Sequence, residues 1–195
     1  MIDTIVFDIA KVLLTFDRDY AISYFYTGPD HNILKDKVFV GWEDMDEDLI
    51  STKDYEEKIV KTLPSHLKEI GRKILNNLEE SMSPTMGITE LVSELKTKGY
   101  KLYVLSNMTR HFIQRDYKFP LLKMFDGVVY SAPIKTVKPR PEMYQYLFDT
   151  YSLNPENCLF IDDRKENLVA ATRFNMKTFL FDNNVNELRN YILTL

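Results

Sequence analysis

Short apolar runs rich in Val, Ile, Leu, Phe and Tyr recur along the chain at residues 4–7, 101–105, 127–130, 158–161 and 177–181. They are continuous rather than alternating, as in strands covered on both faces. A helical period fills the gaps between the later runs. In "GITELVSELKTKG" Ile88, Leu91, Val92 and Leu95 share one face, and Gly99 stands where a C-cap glycine belongs. "RPEMYQYLFDTY" begins with Pro141 in a first turn and carries Met143, Tyr144, Leu147 and Tyr151. "KENLVAATRFN" repeats the pattern with Leu168, Ala171 and Phe174. Strands alternating with helices predict parallel βαβ units in a three-layer, Rossmann-like α/β sheet.

The alternation breaks between Arg18 and Ser83, where helical patterns occur without a convincing strand. "SHLKEIGRKILNNLEE" aligns Leu67, Ile70, Ile74 and Leu78, with Ser65 as the expected cap. "STKDYEEKIVKTL" predicts another helix capped by Ser51 or Thr52. Trp42 precedes the acidic "EDMDED", which reads as a solvated loop and helix start. The pattern predicts an α/β core of residues 1–16 and 84–195. A small helical cap, residues 17–83, is inserted after the first strand.

A length of 195 residues suits this plan. The net charge of −4 gives no basic footprint for nucleic acid. The single cysteine, Cys158, excludes an internal disulfide and a cysteine zinc site, and reads as a small buried hydrophobe. No basic start with a long apolar core marks a signal peptide, and no stretch suits a bilayer. The expectation is a soluble cytoplasmic protein without nucleic-acid or membrane partners; nothing in the sequence sets the oligomeric state.

In open parallel sheets, ligands bind beyond the carboxyl ends of the strands. There the first strand delivers Asp8, the second Ser106 and Asn107, and the fourth Asp162 and Asp163. Lys138 follows the third. This set suits phosphoryl transfer. Carboxylates from separate strands can hold magnesium, and hydroxyl, N–H and ammonium groups can neutralise phosphate oxygens. An aspartate screened in this way can attack phosphorus and form an aspartyl-phosphate, which water then hydrolyses. His31, His66 and His111 are scattered without metal-ligand spacing and read as surface or packing residues, His111 lying nearest the site. Asp17, Arg18 and Tyr20 stand where the chain enters the cap, as substrate contacts or as helix-start residues.

Four segments, "VFDIAKVL", "LYVLSN", "VKPRPEMY" and "CLFIDDRKEN", resemble in order the four motifs of the haloacid dehalogenase superfamily. The helical insert resembles that family's C1 cap. "GYKLYVLSN", "KPRPEMYQYL" and "FIDDRKEN" resemble the branch with bacterial α-D-glucose-1-phosphate phosphatase and the phosphatase domain of soluble epoxide hydrolase. The resemblance implies a magnesium-dependent phosphatase acting on a small phosphorylated metabolite such as a sugar phosphate. It makes Asp8 the nucleophile and a metal ligand, and Ala10 a ligand through its main-chain carbonyl. Ser106, Asn107 and Lys138 become phosphate contacts. Asp163 becomes the direct acidic ligand, Asp162 its acidic partner, and Asn167 the holder of a metal-bound water.

One position departs from that pattern. Most family phosphatases carry a second aspartate two residues after the nucleophile, which moves the proton of the leaving alcohol. Here the residue is Ala10, followed by Lys11 in place of the usual asparagine or glycine. Proton transfer of this kind is typically worth ~10²–10⁴-fold. A non-catalytic relative that binds a phosphorylated ligand or a protein partner is therefore the competing expectation. Metal-free dehalogenation at carbon is a third, disfavoured because unscreened Asp162 and Asp163 repel an anionic substrate.

Overall fold

The computed structural model describes residues 1–195. Five strands form one sheet: β1 (Thr4–Phe7), β2 (Lys101–Ser106), β3 (Gly127–Tyr130), β4 (Cys158–Asp162) and β5 (Lys177–Leu180). Their order is β3-β2-β1-β4-β5, and every pairing is parallel. The continuous apolar runs have their cause here. β1 and β4 are buried along their whole length. Ile5 and Phe7 face one layer, packing near Leu91, Val92 and Leu188. Val6 faces the other, with Tyr144, Leu147 and Ala171. Helices Ile88–Thr97 and Val185–Ile192 cover the first face, and Pro141–Tyr151 and Lys165–Thr172 the second. Phe7 is wholly buried, so truncating it to alanine would cost ~3–5 kcal/mol.

β2 and β4 each run one residue beyond the apolar pattern. Ser106 still pairs with Tyr130, and Asp162 with Leu180, so polar residues complete the ladder. β5 stops one residue early: Phe181 leaves the strand and buries its ring in the core.

Between β1 and the helix Ile88–Thr97 lies a helical lobe built from Arg18–Phe25, His31–Val38, Glu43–Asp46, Thr52–Thr62 and Lys68–Asn77. It has its own apolar centre, including Ile22, Leu34, Tyr55, Ile59 and Ile74. The buried Tyr55 hydroxyl donates to the Val38 carbonyl at 2.9 Å. The chain leaves and re-enters the core side by side. Thr15 N–H donates to the Ser83 carbonyl at 2.7 Å, and Thr85 N–H to that of Leu13 at 3.0 Å. Ser51 caps the helix Thr52–Thr62 by accepting the Asp54 N–H. Ser65 does not cap its helix. It sits inside a 3₁₀ turn, Ser65–Leu67, which follows Pro64 and feeds directly into Lys68–Asn77. No helix is long and apolar enough to cross a membrane.

Candidate active site

Chain order around β1 reverses in the sheet: β2 lies on one side and β4 on the other. A crevice opens at the carboxyl ends of such strands. Asp8 stands there. Its N–H still donates to the Ile161 carbonyl at 2.9 Å, which fixes the main chain where the side chain leaves the sheet. Ser106 Oγ donates to Asp8 Oδ1 at 2.6 Å. Lys138 Nζ lies 2.9 Å from the same oxygen and 2.7 Å from Asp162 Oδ2. Asp8 Oδ1 thus carries two donors, and Oδ2 carries none from the protein. Asp8, Ser106, Lys138 and Asp162 are all buried. Burial alone disfavours the Lys138 ammonium, yet Asp162 and Asp8 outweigh it and hold its pKa above the ordinary lysine value.

Asp162 and Asp163 are adjacent but differently used. Asp162 Oδ1 accepts the Arg164 N–H at 2.9 Å, and Asn167 Nδ2 reaches both of its oxygens at 3.0 Å. With Lys138, its acceptor capacity is largely committed. Burial raises its pKa and Lys138 opposes the rise. Asp163 is half-buried, and its only ion pair is a loose one, 3.9 Å from Lys11 Nζ. Burial and Asp162 raise its pKa, with Lys11 and Lys138 opposing.

Asn107 uses its side chain on the loop that carries Lys138. Its Oδ1 accepts the Lys138 N–H at 2.8 Å and its Nδ2 donates to the Lys138 carbonyl at 3.0 Å. The main-chain N–H groups of Ile9, Ala10 and Asn107 have no acceptor within the protein and are free to meet an anion. Lys11 adopts a left-handed conformation, φ 63°, in the tight turn after Asp8.

Core and lobe together enclose a cleft of about 810 Å³. Asp8, Ala10, Asn107, Lys138, Asp163 and Asn167 line it; Ser106 and Asp162 stand behind, holding Asp8 and Lys138 in place. Carboxylate oxygens of Asp8, Asp162 and Asp163 lie within 4.8 Å of one another. Asn167 Oδ1 is buried without a partner. This donor set fits a hard divalent cation. Asp8 and Asp163 offer uncommitted oxygens, and the orphan acceptor on Asn167 suits a water bound to the cation.

The acidic run is not simply solvated. Glu43, Asp46 and Glu47 line the cleft, as does Trp42. Ser131 Oγ donates to the Asp46 carbonyl at 2.6 Å. Arg140 pairs with Glu47 at 2.7 Å, and Arg110 grips Asp48 with two bonds of 2.6 and 2.8 Å. Core arginines draw the run down onto the sheet edge, a long-range pairing that local sequence does not encode. Asp17 is both a cleft residue and the cap of its helix, accepting the Tyr20 N–H. Arg18 lines the cleft, whereas Tyr20 is exposed. His31 and His66 make surface contacts with Asp19 and Asp30.

Sequence reasoning also passed over Glu79. It follows the apolar stripe of its helix by one residue and is buried in the cleft wall. Lys118 and Arg115 approach its Oε1 at 2.7 and 3.3 Å. His111 lies 3.7 Å from its other oxygen; burial and Arg115 lower the His111 pKa, with Glu79 opposing. The only signal was an acid placed at the end of a helix's buried face. Cys158 is buried, with its thiol pushed up to about 12 by burial, as suits a packing residue.

Residues 7–181 match the family model described as haloacid dehalogenase-like hydrolase. A five-stranded parallel sheet with acids at the ends of β1 and β4 is the framework that the match covers, and the chain belongs to that family. Bifunctional epoxide hydrolase 2 of Mus musculus is 26% identical over 189 residues, covering 90% of this chain and 33% of the relative. Pyrophosphatase PpaX of Bacillus cereus is 32% identical over 92 residues, 47% of this chain and 43% of the relative. The chain thus spans less than half the length of either relative. An HAD-like family hydrolase from Porphyromonas gingivalis superposes with TM-score 0.74 at 20% identity, covering 100% of this chain and 99% of that one. An HAD family enzyme from Bacteroides thetaiotaomicron, in complex with magnesium and inorganic phosphate, gives TM-score 0.70 at 21% identity, covering 92% and 93%.

Proposed function

We propose that the chain is a magnesium-dependent phosphomonoester hydrolase acting through an aspartyl-phosphate at Asp8. The observation that carries this reading is the Asp8 carboxylate, fixed through one oxygen by Ser106 and Lys138 in the wall of a cleft between core and lobe. Fixing the carboxylate through Oδ1 sets its orientation in the cleft, which lowers the entropy cost of in-line attack. Lys138 and the free N–H groups of Ile9, Ala10 and Asn107 neutralise phosphate oxygens. Ser106 and Asp162 act as supports, orienting Asp8 and Lys138. Asp8, the Ala10 carbonyl and Asp163 would hold magnesium, with Asn167 accepting from a water bound to it. Magnesium there supplies charge neutralisation for the phosphate and the carboxylates.

A cleft of this volume suits a small phosphorylated metabolite, such as a sugar phosphate, more than a macromolecule. The helical lobe acts as a cap that excludes bulk water from the phosphoryl centre.

The test is turnover of aryl and sugar phosphates with and without magnesium, beside Asp8→Asn. The expected result is magnesium-dependent release of phosphate that Asp8→Asn reduces by ~10³-fold or more. Ala10 favours a second reading, a relative that binds phosphate without turning it over. Inorganic phosphate bound in the cleft of a folded protein that hydrolyses no phosphomonoester would decide for it; an aspartyl-phosphate mimic trapped at Asp8 with beryllium fluoride would count against it.

A further inference from the structure

We propose that Asp46, carried by the helical lobe, is the proton donor and acceptor that Ala10 cannot be. The assignment rests on the phosphohydrolase reading above. Ala10 lines the cleft with a methyl group, so the turn after Asp8 offers no proton. In-line displacement places the leaving oxygen on the side of phosphorus opposite Asp8. Core and lobe line one cleft, and Asp46, presented to it by the lobe, is the residue assigned to that leaving oxygen.

Asp46 differs from the acids around it. Glu47 is paired with Arg140, Asp48 with Arg110 and Asp44 with Lys58. The Asp46 carboxyl has no hydrogen-bond or ion-pair partner in the chain. Its main chain, by contrast, is anchored, because Ser131 of the core donates to its carbonyl at 2.6 Å. Met108 N–H donates to the same Ser131 hydroxyl at 2.9 Å, which ties that anchor to the end of β2. The result is a fixed main chain carrying an uncommitted acid into the cleft that Asp8 lines.

Its protonation state fits the task. Burial, the neighbouring Glu43 on its own helix and Asp8 across the cleft push it up to about 7. Arg18 from the lobe and Arg164 from the loop after β4 oppose that rise. An acid poised near neutrality can both give and take a proton.

The steps balance. Asp8 attacks phosphorus, the bond from phosphorus to the leaving oxygen breaks, and the Asp46 carboxyl gives its proton to that oxygen. Asp46 is then a carboxylate. It takes a proton from the water that attacks the aspartyl-phosphate; the bond from phosphorus to Asp8 breaks, and both side chains return to their starting states.

Leaving-group dependence tests this. An aryl phosphate such as p-nitrophenyl phosphate needs no proton on its leaving oxygen, whereas an alkyl phosphate such as glycerol phosphate does. With magnesium, Asp46→Asn is expected to raise the aryl-to-alkyl ratio of kcat/KM by about a hundredfold. The fall in alkyl-phosphate turnover above about pH 7 should vanish with it. Ala10→Asp in the Asp46→Asn background should restore the ratio. A ratio unchanged by Asp46→Asn, in protein that is folded by circular dichroism, overturns the assignment even where wild-type turnover and its loss in Asp8→Asn uphold the hydrolase. No wild-type turnover of either ester overturns the hydrolase reading, and the Asp46 assignment falls with it.

Discussion

Asn107 holds Lys138 by its main chain, accepting its N–H at 2.8 Å and donating to its carbonyl at 3.0 Å. The pair imitates a rung of sheet in a loop that has none, and it leaves the Lys138 ammonium free for Asp8 and Asp162. Asn107→Ala removes both bonds and exposes two main-chain groups to poor solvation. The expected loss is about 1–3 kcal/mol in urea unfolding. Because the ammonium then wanders, kcat should fall by roughly tenfold with KM less affected. Asn107→Asp should be worse, since a carboxylate repels the Lys138 carbonyl it must face. Equal or better stability in Asn107→Asp would show that the clamp is unimportant.

Lys138 itself is the counter-charge of two buried carboxylates. Lys138→Met keeps the stem and deletes the charge, leaving Asp8 and Asp162 facing each other without compensation. Breaking a buried ion pair from one side costs ~3–5 kcal/mol. Lys138→Met should unfold at markedly lower urea concentration than wild type. A double variant, Lys138→Met with Asp162→Asn, should recover part of that loss. Simple additivity of the two changes would mean that the groups do not interact.

The sheet was legible because its signal is local. A strand buried on both faces is apolar nearly throughout, so 4–7 coincides with β1, and the run 127–130 coincides with the half-buried edge strand β3. The strand-end acids were legible for a related reason: a charge that directly follows a buried run must lie at the sheet's edge. Their division of labour was not. Asp162 and Asp163 look alike in sequence, and the difference between them lies in Lys138, Arg164 and Asn167 reaching one and not the other. The lobe's placement was also hidden. "EDMDED" looks like solvent-exposed polarity until Arg110, Arg140 and Ser131, sixty or more residues away, seat it over the cleft.

Lys11 is strained as well as charged. Its left-handed φ of 63° disfavours a side chain, at a cost of ~1–2 kcal/mol, while glycine loses ~0.5–1 kcal/mol more chain entropy on folding. Lys11→Gly should therefore gain roughly 0.5–1 kcal/mol in stability. It also removes the ammonium 3.9 Å from Asp163. Half-activation should then need several-fold less magnesium, by titration calorimetry and by turnover. Weaker magnesium binding in Lys11→Gly would instead make Lys11 a support of the site.

The two arginine tethers test whether the lobe's seating matters. Arg110 and Arg140 are exposed, and solvent screens each pair so that it adds little to stability. Replacing both with alanine should leave unfolding nearly unchanged. It should nevertheless lower alkyl-phosphate turnover several-fold, because Asp46 and its neighbours are no longer held down. High salt should reproduce part of the effect in wild type by screening the same pairs. Turnover insensitive to both changes would leave Ser131 and packing as sufficient anchors.

Asp46 also makes a prediction about stability alone, independent of any substrate. Its carboxyl has an ordinary value of 3.8 and is raised to about 7 in the fold, first by burial and then by Glu43 and Asp8. The folded state therefore prefers the protonated form. That preference favours folding fully below the ordinary value and is lost as pH rises through about 7. Asparagine mimics the neutral acid and does not titrate. Asp46→Asn should thus gain stability relative to wild type as pH rises from about 4 to 8, by roughly 2 kcal/mol once water in the cleft is allowed for. Urea unfolding of both proteins across that range, without magnesium, reads the difference directly. A difference that stays flat would mean that the Asp46 carboxyl is already ionised at acidic pH, and would remove the basis for its acting as an acid near neutrality.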